Sequence, residues 1–428
     1  MRRARPLAAG SADLFAAGPA DLRLAALLRV EPMVTPAKPD HLDGLMTDPY
    51  GTYAHLRESA PVRRIAGPDG TPAWLVTRYA DVRAALADQR LSVDKRHALP
   101  GSYRGFSLPP ALDANMLNMD PPDHTRIRRL VVKAFTKHRV ESLRAPVRRT
   151  ADALLDAIEG AGRADLVAAY AAPLPITTIC DLLGVPADHR RDFTDWTDAL
   201  IAPDPAKPDR AKETVVAMLG FYTALIADKR ERPGEDLLSD LIATRDGGDR
   251  LSEDELTSLA FLLHFAGYEN AVQLIGNAVL GLLRHPEQLA ALRADPALLP
   301  GAVEEFMRYD TSAVFSIRRF AREDVTIGGV RVAAGETVFL GLGSAGRDPG
   351  RFPDPDRLDL TRDASGHLAL GHGIHHCVGA PLARLELTIA IGALLERFPD
   401  LALGVPEEEL RWRPSIRARG LLALPVTF

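Results

Sequence analysis

From Ser252 to His285 the chain carries one helical pattern that is apolar on most faces. Ser252-x-x-Glu255 is a capping-box signature at its start, and His285-Pro286 ends it. At 1.5 Å per residue such a helix runs about 50 Å. A helix that long and that apolar needs protein on nearly every side, so it is expected to cross the middle of the fold with the other elements around it. A membrane span is the competing reading. Against it, His264, Glu269, Asn270, Gln273 and Asn277 lie within the segment, where charges and amides are costly in lipid. Polar groups halfway along a core helix call for a reason.

The rest of the chain supplies the wrapping. From about Asp81 to Leu299 the pattern is helical, with loops at Pro100–Pro110, Ala202–Pro208 and Arg245–Asp249. A hairpin is expected from Val62–Ile65 and Ala73–Thr77. Short strands are expected at Val325–Ile327, Val330–Val332 and Thr337–Leu340, then coil over Arg351–Asp359, a helix near Pro381–Phe398 and a strand pair around Ile416–Val426. At 428 residues, length alone would suggest two or three domains. With no internal repeat and no low-complexity linker, the better expectation is one mainly α domain with small β-sheets over residues 46–428, behind an irregular Ala- and Pro-rich arm, 1–45.

Composition narrows the function. A net charge of −5 gives no nucleic-acid footprint. Two cysteines, Cys180 and Cys377, make no disulfide framework and suit a reducing compartment, so a cytoplasmic location is expected, with no membrane partner. The basic start, Met1-Arg2-Arg3-Ala4-Arg5, is followed by an Ala/Leu-rich segment interrupted by Asp13, Asp21 and Arg23. That reads as an amphipathic arm or an early start codon and not as a targeting signal.

The strongest chemical signal is Leu370-Gly371-His372-Gly373-Ile374-His375-His376-Cys377-Val378-Gly379, followed by Ala380-Pro381-Leu382-Ala383-Arg384. A glycine-rich loop here delivers one thiol to the start of a helix. The glycines permit close backbone approach, and a helix N-terminus favours a thiolate, so Cys377 is expected to ionise easily. A buried structural cysteine is the ordinary reading of a lone Cys. A zinc site from His372, His375, His376 and Cys377 is a second alternative, but adjacent ligands fit one tetrahedral shell poorly.

At these residues the chain resembles the cytochrome P-450 family, in its soluble bacterial form. The family's signature is Phe-Gly-x-Gly-x-His-x-Cys-x-Gly, and every fixed position matches except the first, where Leu370 stands for Phe. The resemblance implies that Cys377 ligates the iron of heme b (iron protoporphyrin), with Gly379 completing the loop and His375 at a propionate. It extends to Asp120-Pro121-Pro122-Asp123-His124-Thr125-Arg126-Ile127-Arg128, where His124 and Arg128 would meet propionates, as would Arg319. Glu305-Phe306-Met307-Arg308 resembles the buried Glu-x-x-Arg pair, which Arg357 in the following coil would lock as a structural network.

On the long helix, Ala266-Gly267-Tyr268-Glu269-Asn270 resembles the family's oxygen-groove pattern, with Ala266 and Gly267 opening the groove and Glu269 delivering protons. Asn270 stands where the family has threonine, which puts the relay chemistry in question. By the same resemblance Phe261, Leu262, Phe265, Val314, Phe315 and Ala418 would face substrate, with Arg417 nearby and Leu99–Asn115 as a lid. Arg126, Arg129, Lys133 and Lys137, spaced 3, 4 and 4, form either a solvated face or a docking stripe for an acidic electron carrier. Having no flavin or nicotinamide fingerprint, the chain is expected to take electrons from a ferredoxin with its ferredoxin reductase. The implied activity is monooxygenation by dioxygen of a hydrophobic small molecule, in secondary metabolism. Desaturation, radical coupling or peroxide-driven oxidation on the same haem is the alternative, and a non-catalytic haem sensor or carrier is a third class.

Overall fold

The structure is a computed structural model, and it describes residues 40–428 apart from 68, 104–107, 202–206, 208, 247–250 and 416. The expected arm therefore lies outside the described residues up to 39. From Asp40 the chain is already helical, in α1 (Asp40–Thr47) and α2 (Pro49–Ser59), so the irregular stretch does not reach 45. Asp48 separates the two helices because its carboxylate accepts the Gly51 N–H at 3.0 Å, an N-cap that restarts the helix.

Further helices used below are α3 (Pro110–Asp113), α4 (Asp123–Val132), α5 (Pro173–Leu183), α6 (Arg190–Ile201), α7 (Arg210–Glu231), α8 (Glu253–Arg284), α9 (Leu299–Tyr309) and α10 (Ala380–Arg397). The long central helix is α8. Both capping-box bonds form, Glu255 N–H to Ser252 Oγ at 3.1 Å and Ser252 N–H to Glu255 Oε2 at 2.8 Å. Pro286 cannot continue the ladder, and the helix stops at His285. Helices α3, α5, α7, α9 and α10 all pack on it. Leu256, Leu259 and Ala260 are wholly buried, and truncating either leucine to alanine would cost about 2–5 kcal/mol. Among the described residues no helix is long and apolar enough to cross a membrane.

Strands β1 (Val62–Ala66) and β2 (Pro72–Val76) form the expected hairpin, with Val62 opposite Val76. The sheet continues from β2 through β8 (Thr337–Leu340) and β5 (Arg319–Ala321) to β3 (Leu91–Ser92). β6 (Val325–Ile327) and β7 (Val330–Val332) pair across Gly328 and Gly329, whose φ values of 53° and 82° suit a residue without Cβ. A third sheet joins β4 (Arg163–Asp165), β10 (Pro425–Thr427) and β9 (Ala402–Leu403).

Two expectations need correction. The C-terminal strand pair is not regular: among the described residues only β10 is a strand there, and Trp412 and Leu421 meet in a single isolated bridge. Between them Ser415 Oγ accepts the N–H groups of Arg417 and Ala418 at 3.2 and 3.1 Å. The expected lid is also shorter. Its middle, 104–107, lies outside the described residues, and its second half is α3, fixed to α8 through buried Leu112 and the Asn115 amide donating to Ser258 Oγ at 3.2 Å. The expected loops at 202–208 and 245–249 fall largely outside the described residues.

Candidate active site

The loop from Leu370 to Gly379 is a tight turn closed on itself. Cys377 N–H donates to Leu370 O at 2.9 Å and His376 N–H to Gly373 O at 3.1 Å. Gly371 and Gly373 take φ of 75° and 73°, and a Cβ on Gly373 would come within 3.0 Å of Leu86 O. Glycine is thus required both by backbone angle and by close approach. Cys377 is accessible at its surface yet has protein crowded around it. Burial pushes its thiol up, against the backbone N–H groups of Gly379 and Ala380 and the guanidinia of Arg128 and Arg384, which pull it down. The helix terminus alone does not make Cys377 ionise easily, because burial outweighs it; a cation at the sulfur is what would tip the balance.

Beside the loop, cations and imidazoles gather, and several imidazole nitrogens lack partners among the described residues. The rings of His124 and His375 lie 4.4 Å apart. Neither nitrogen of His124, and not Nδ1 of His375, has a hydrogen-bond partner, although all three atoms are buried. Burial, then Arg319, His124 and Arg128, lower His375 to about 2. Arg319 on β5 is itself almost wholly buried and lowered to about 10, again by burial first. Asp120 acts on His124 and Arg319, but its carboxylate is engaged by Ser92 Oγ and by the Val93 N–H at 3.2 Å. Arg128 donates to the carbonyl of His376 at 2.7 Å, next to Cys377. Such a cluster suits a ligand that brings its own negative charge and acceptor oxygens.

Two ion-pair networks hold the loop from behind. Arg308 grips Glu305 through Nε–Oε2 at 2.6 Å and Nη2–Oε1 at 2.8 Å, both side chains wholly buried, and donates to Gly346 O and Pro355 O. The second cation on Glu305, and so the third charge of the network, is Arg362, at 3.3 Å, and not Arg357. Arg357 points its side chain outward and contributes only its carbonyl, which accepts from Arg308 and Arg362. Glu304, its neighbour on α9, takes Arg384 at 2.6 Å and His367 at 3.2 Å. Burial would raise the Glu304 carboxyl, but these two partners hold it down to about 2.

Midway along α8 the burial pattern breaks. Ala266 and Asn270, four residues apart and so on one face, are exposed, while Glu269 and Gln273 are buried. An exposed face at the middle of a core helix is a cleft wall. At Gly267 a Cβ would meet Ile179 Cδ1 at 3.0 Å, so this glycine lets α8 close on α5. Glu269 Oε1 accepts from Gln273 Nε2 at 3.1 Å and pairs with Arg413 at 3.5 Å. Sequence reasoning missed Arg413, Arg384 and Arg362; isolated arginines carry no spacing signal that would have found them.

Phe261 and Phe265 stack at 5.6 Å, with Phe265 half-buried, and Leu262 is buried. Val314 and Phe315 do not join them. They pack in a separate apolar cluster with Tyr53, Leu56 and Phe339, the Phe315 ring 6.3 Å from Tyr53. Half-exposed Ala313 instead bridges to Ala418. The basic stripe is broken as well. Arg126 is ion-paired to Glu255 and Asp123, α4 ends at Val132, and Lys137 begins another helix. Arg129, Lys133 and Lys137 remain exposed.

The family model described as Cytochrome P-450 matches residues 193–402. Cytochrome P-450 107B1 of Saccharopolyspora erythraea is 50% identical over 92% of this chain and 99% of its own. The chain belongs to the cytochrome P-450 family. The vitamin D(3) 25-hydroxylase of Pseudonocardia autotrophica is 49% identical over 89% of this chain and 94% of its own length. The tirandamycin C-bound P-450 monooxygenase TamI superposes with a TM-score of 0.83 at 44% identity, covering 92% of this chain and all of TamI. The protein is thus a haem-dependent monooxygenase with the fold of its solved relatives. P-450 enzymes bind haem through a cysteine-ligated iron and use dioxygen with electrons from a redox partner. The residues present fit such a group: one accessible thiol flanked by backbone donors, and a cluster of His and Arg donors short of acceptors for two carboxylates. Among the described residues no three His, Cys, Asp or Glu side chains gather as a separate metal cage.

Proposed function

We propose that Cys377 ligates the haem iron and that this P-450 inserts one oxygen atom of dioxygen into a C–H or C=C bond of a hydrophobic natural product of secondary metabolism. The single observation that carries the assignment is the pairing of the Cys377 loop with the acceptor-poor donor cluster of His124, His375, Arg128 and Arg319. When bound, the haem supplies the oxygen chemistry. The chain's own residues do the rest. Gly379 N–H and Arg128 favour the thiolate, and His124, His375 and Arg319 take the propionates. Asn270 and Glu269 manage protons on the cleft face of α8, and Phe261, Phe265 and Ala418 offer an apolar wall.

A bulky hydrophobic ligand is supported by two relatives, a hydroxylase of vitamin D(3) and a monooxygenase with tirandamycin C bound. Electrons come from an acidic ferredoxin, served by its reductase, meeting exposed Arg129 and Lys133. The cytoplasm is the compartment that fits a free-thiol pair and such a donor. Asn270, in place of a hydroxyl, keeps desaturation or radical coupling open as a second outcome on the same haem. The test is turnover with ferredoxin, reductase and labelled dioxygen over a panel of polyketides and secosteroids that first give a spectral shift. Product carrying one labelled oxygen supports insertion; unlabelled, dehydrogenated or coupled product overturns it in favour of the second outcome.

A further inference from the structure

On α8, Glu269, Gln273 and Asn277 stand at four-residue intervals and are all buried, so they form one polar stripe inside the core. The C-terminal loop lies along it. Arg413 pairs with Glu269 Oε1 at 3.5 Å, and the Asn277 amide donates to Asp310 O and to Arg419 O, each at 3.2 Å. A Cβ at position 420 would fall 1.7 Å from Gln273 Oε1, so Gly420 is what allows the amide to lie there. The amide orientations are fixed by their partners, since Gln273 Nε2 faces a carboxylate and Asn277 Nδ2 faces two carbonyls. Their oxygens, Gln273 Oε1 and Asn277 Oδ1, are left buried with no protein donor. An acceptor in that position is normally satisfied by internal water. A cavity of about 20 Å³ adjoins the stripe, lined by Arg413, Ser415, Arg419 and Gly420 with Leu45 and Pro49 of the N-terminal helices. That is room for about one water.

Resting on the monooxygenase reading above, we propose that protons reach the oxygen cleft from the side of the C-terminal loop, through waters held by Gln273 and Asn277, with Arg413 positioning Glu269 at the inner end. The reaction R–H + O₂ + 2 electrons + 2 protons gives R–OH + H₂O. The electron carrier supplies the electrons and bulk water the protons. Arg413 takes no part in the transfer itself. It holds the Glu269 carboxylate against the water file. Released from that ion pair, the carboxylate turns one residue along the helix surface toward Asn270 and the cleft. Arg419 is occupied by Asp310 at 2.7 Å, whereas Arg413 is the cation paired with Glu269 among the described residues.

The inference is tested on the haem-loaded full-length enzyme with Arg413→Leu, Arg413→Lys and Gln273→Leu, each first checked for the parent carbon-monoxide spectrum. Arg413→Leu and Gln273→Leu are expected to lower product per reducing equivalent on the order of tenfold, divert electrons to peroxide and enlarge the solvent deuterium isotope effect. Arg413→Lys is expected to restore most of the coupling. A high-resolution crystal structure is expected to show ordered water on Gln273 Oε1 and Asn277 Oδ1. Parent-like coupling and isotope effect in both leucine variants, or a dry stripe in the crystal, overturns the proposal while leaving the monooxygenase reading in place. Loss of the carbon-monoxide spectrum in all three variants also overturns it, because the loop would then serve only to retain haem. A parent enzyme that never gives that spectrum sinks the underlying reading instead.

Discussion

Arg362 Nε lies 3.3 Å from the wholly buried Glu305 Oε1, and the same guanidinium donates to the carbonyls of Pro353, Asp354 and Arg357. One side chain thus adds a second cation to the Arg308-paired carboxylate and pins the irregular segment that precedes the cysteine loop. Arg308 still pairs with Glu305 when Arg362 is removed, so the loss stays below the about 3–5 kcal/mol of an uncompensated buried charge. Arg362→Ala is expected to cost about 1–3 kcal/mol, chiefly through the carbonyls left without their donor, and to lower haem retention. Arg357→Ala, at an exposed side chain, is expected to stay within about 0.5 kcal/mol of the parent. Urea midpoints and the haem-to-protein absorbance ratio decide it. Equal losses in the two variants would remove Arg362 from the network.

That swap shows what the sequence could and could not carry. Elements defined by periodicity were readable: the capping box and Pro286 bound α8 as expected, and the Gly328-Gly329 turn gave β6 and β7. The Cys377 loop was readable because its glycines answer local backbone demands. Partners chosen across coil were not. Arg357 and Arg362 both sit in a segment without a period, and only the three-dimensional turn decides which one faces Glu305. Val314 and Phe315 failed similarly, since an apolar pair reads the same in a core as in a pocket wall.

The iron ligand separates the two cysteines. Reduced protein with carbon monoxide is expected to show the strongly red-shifted Soret band of thiolate ligation. Cys377→His is expected to give an imidazole-type spectrum or no haem at all. Cys180, wholly buried on α5 with its thiol pushed up to about 12 by burial, has no thiolate to offer. Cys180→Ala is expected to leave the band in place. A red-shifted band persisting in Cys377→Ala would end the assignment.

Glu386 on α10 makes stability depend on pH. Burial pushes its carboxyl up to about 8, in spite of a hydrogen bond from Thr178. Between its ordinary value, about 4.3, and about 8, the folded protein therefore holds a proton that the unfolded chain has lost. Stability contributed by this group is present below that window and falls as pH rises through it, by ~1.4 kcal/mol per unit, and is flat above. Glu386→Gln removes the dependence. The stability of the variant relative to the parent is expected to rise from pH 5 to pH 8. Denaturant midpoints at both pH values measure it, and a difference that does not move with pH refutes the buried-proton account.

Electron delivery distinguishes cations that are free from those already paired. Arg129 and Lys133 are exposed, whereas Arg126 is bound to Glu255 of the α8 capping box. Charge reversal at Arg129 and Lys133 is expected to raise the donor KM several-fold at low salt, with the gap closing as salt screens the parent's attraction. Reversal at Arg126 is expected to lower thermal stability instead, with little salt-dependent effect on KM. Steady-state assays across salt, beside melting curves, tell the two apart. A salt-independent defect at Arg129 and Lys133 would remove them from the docking surface.

Asn270 is the last and sharpest point, because it is exposed on the cleft face one residue from buried Glu269. A hydroxyl donates and accepts at one atom and can sit inside a proton relay; an amide divides these tasks between two atoms. Asn270 is therefore suited to orient a water or a substrate hydroxyl, with protons supplied from Glu269. The opposing account is that its side chain bonds only to the helix backbone, as such residues often do. No such bond is present here: the asparagine makes no hydrogen bond among the described residues. Asn270→Ala is expected to keep ligand spectral shifts near those of the parent, while product per reduced nicotinamide falls and peroxide rises. Asn270→Thr, which restores an exchangeable hydroxyl, is expected to keep more coupling than the alanine variant. Counting product, nicotinamide and peroxide in one assay settles the point, and an alanine variant that couples as well as the parent removes Asn270 from proton delivery.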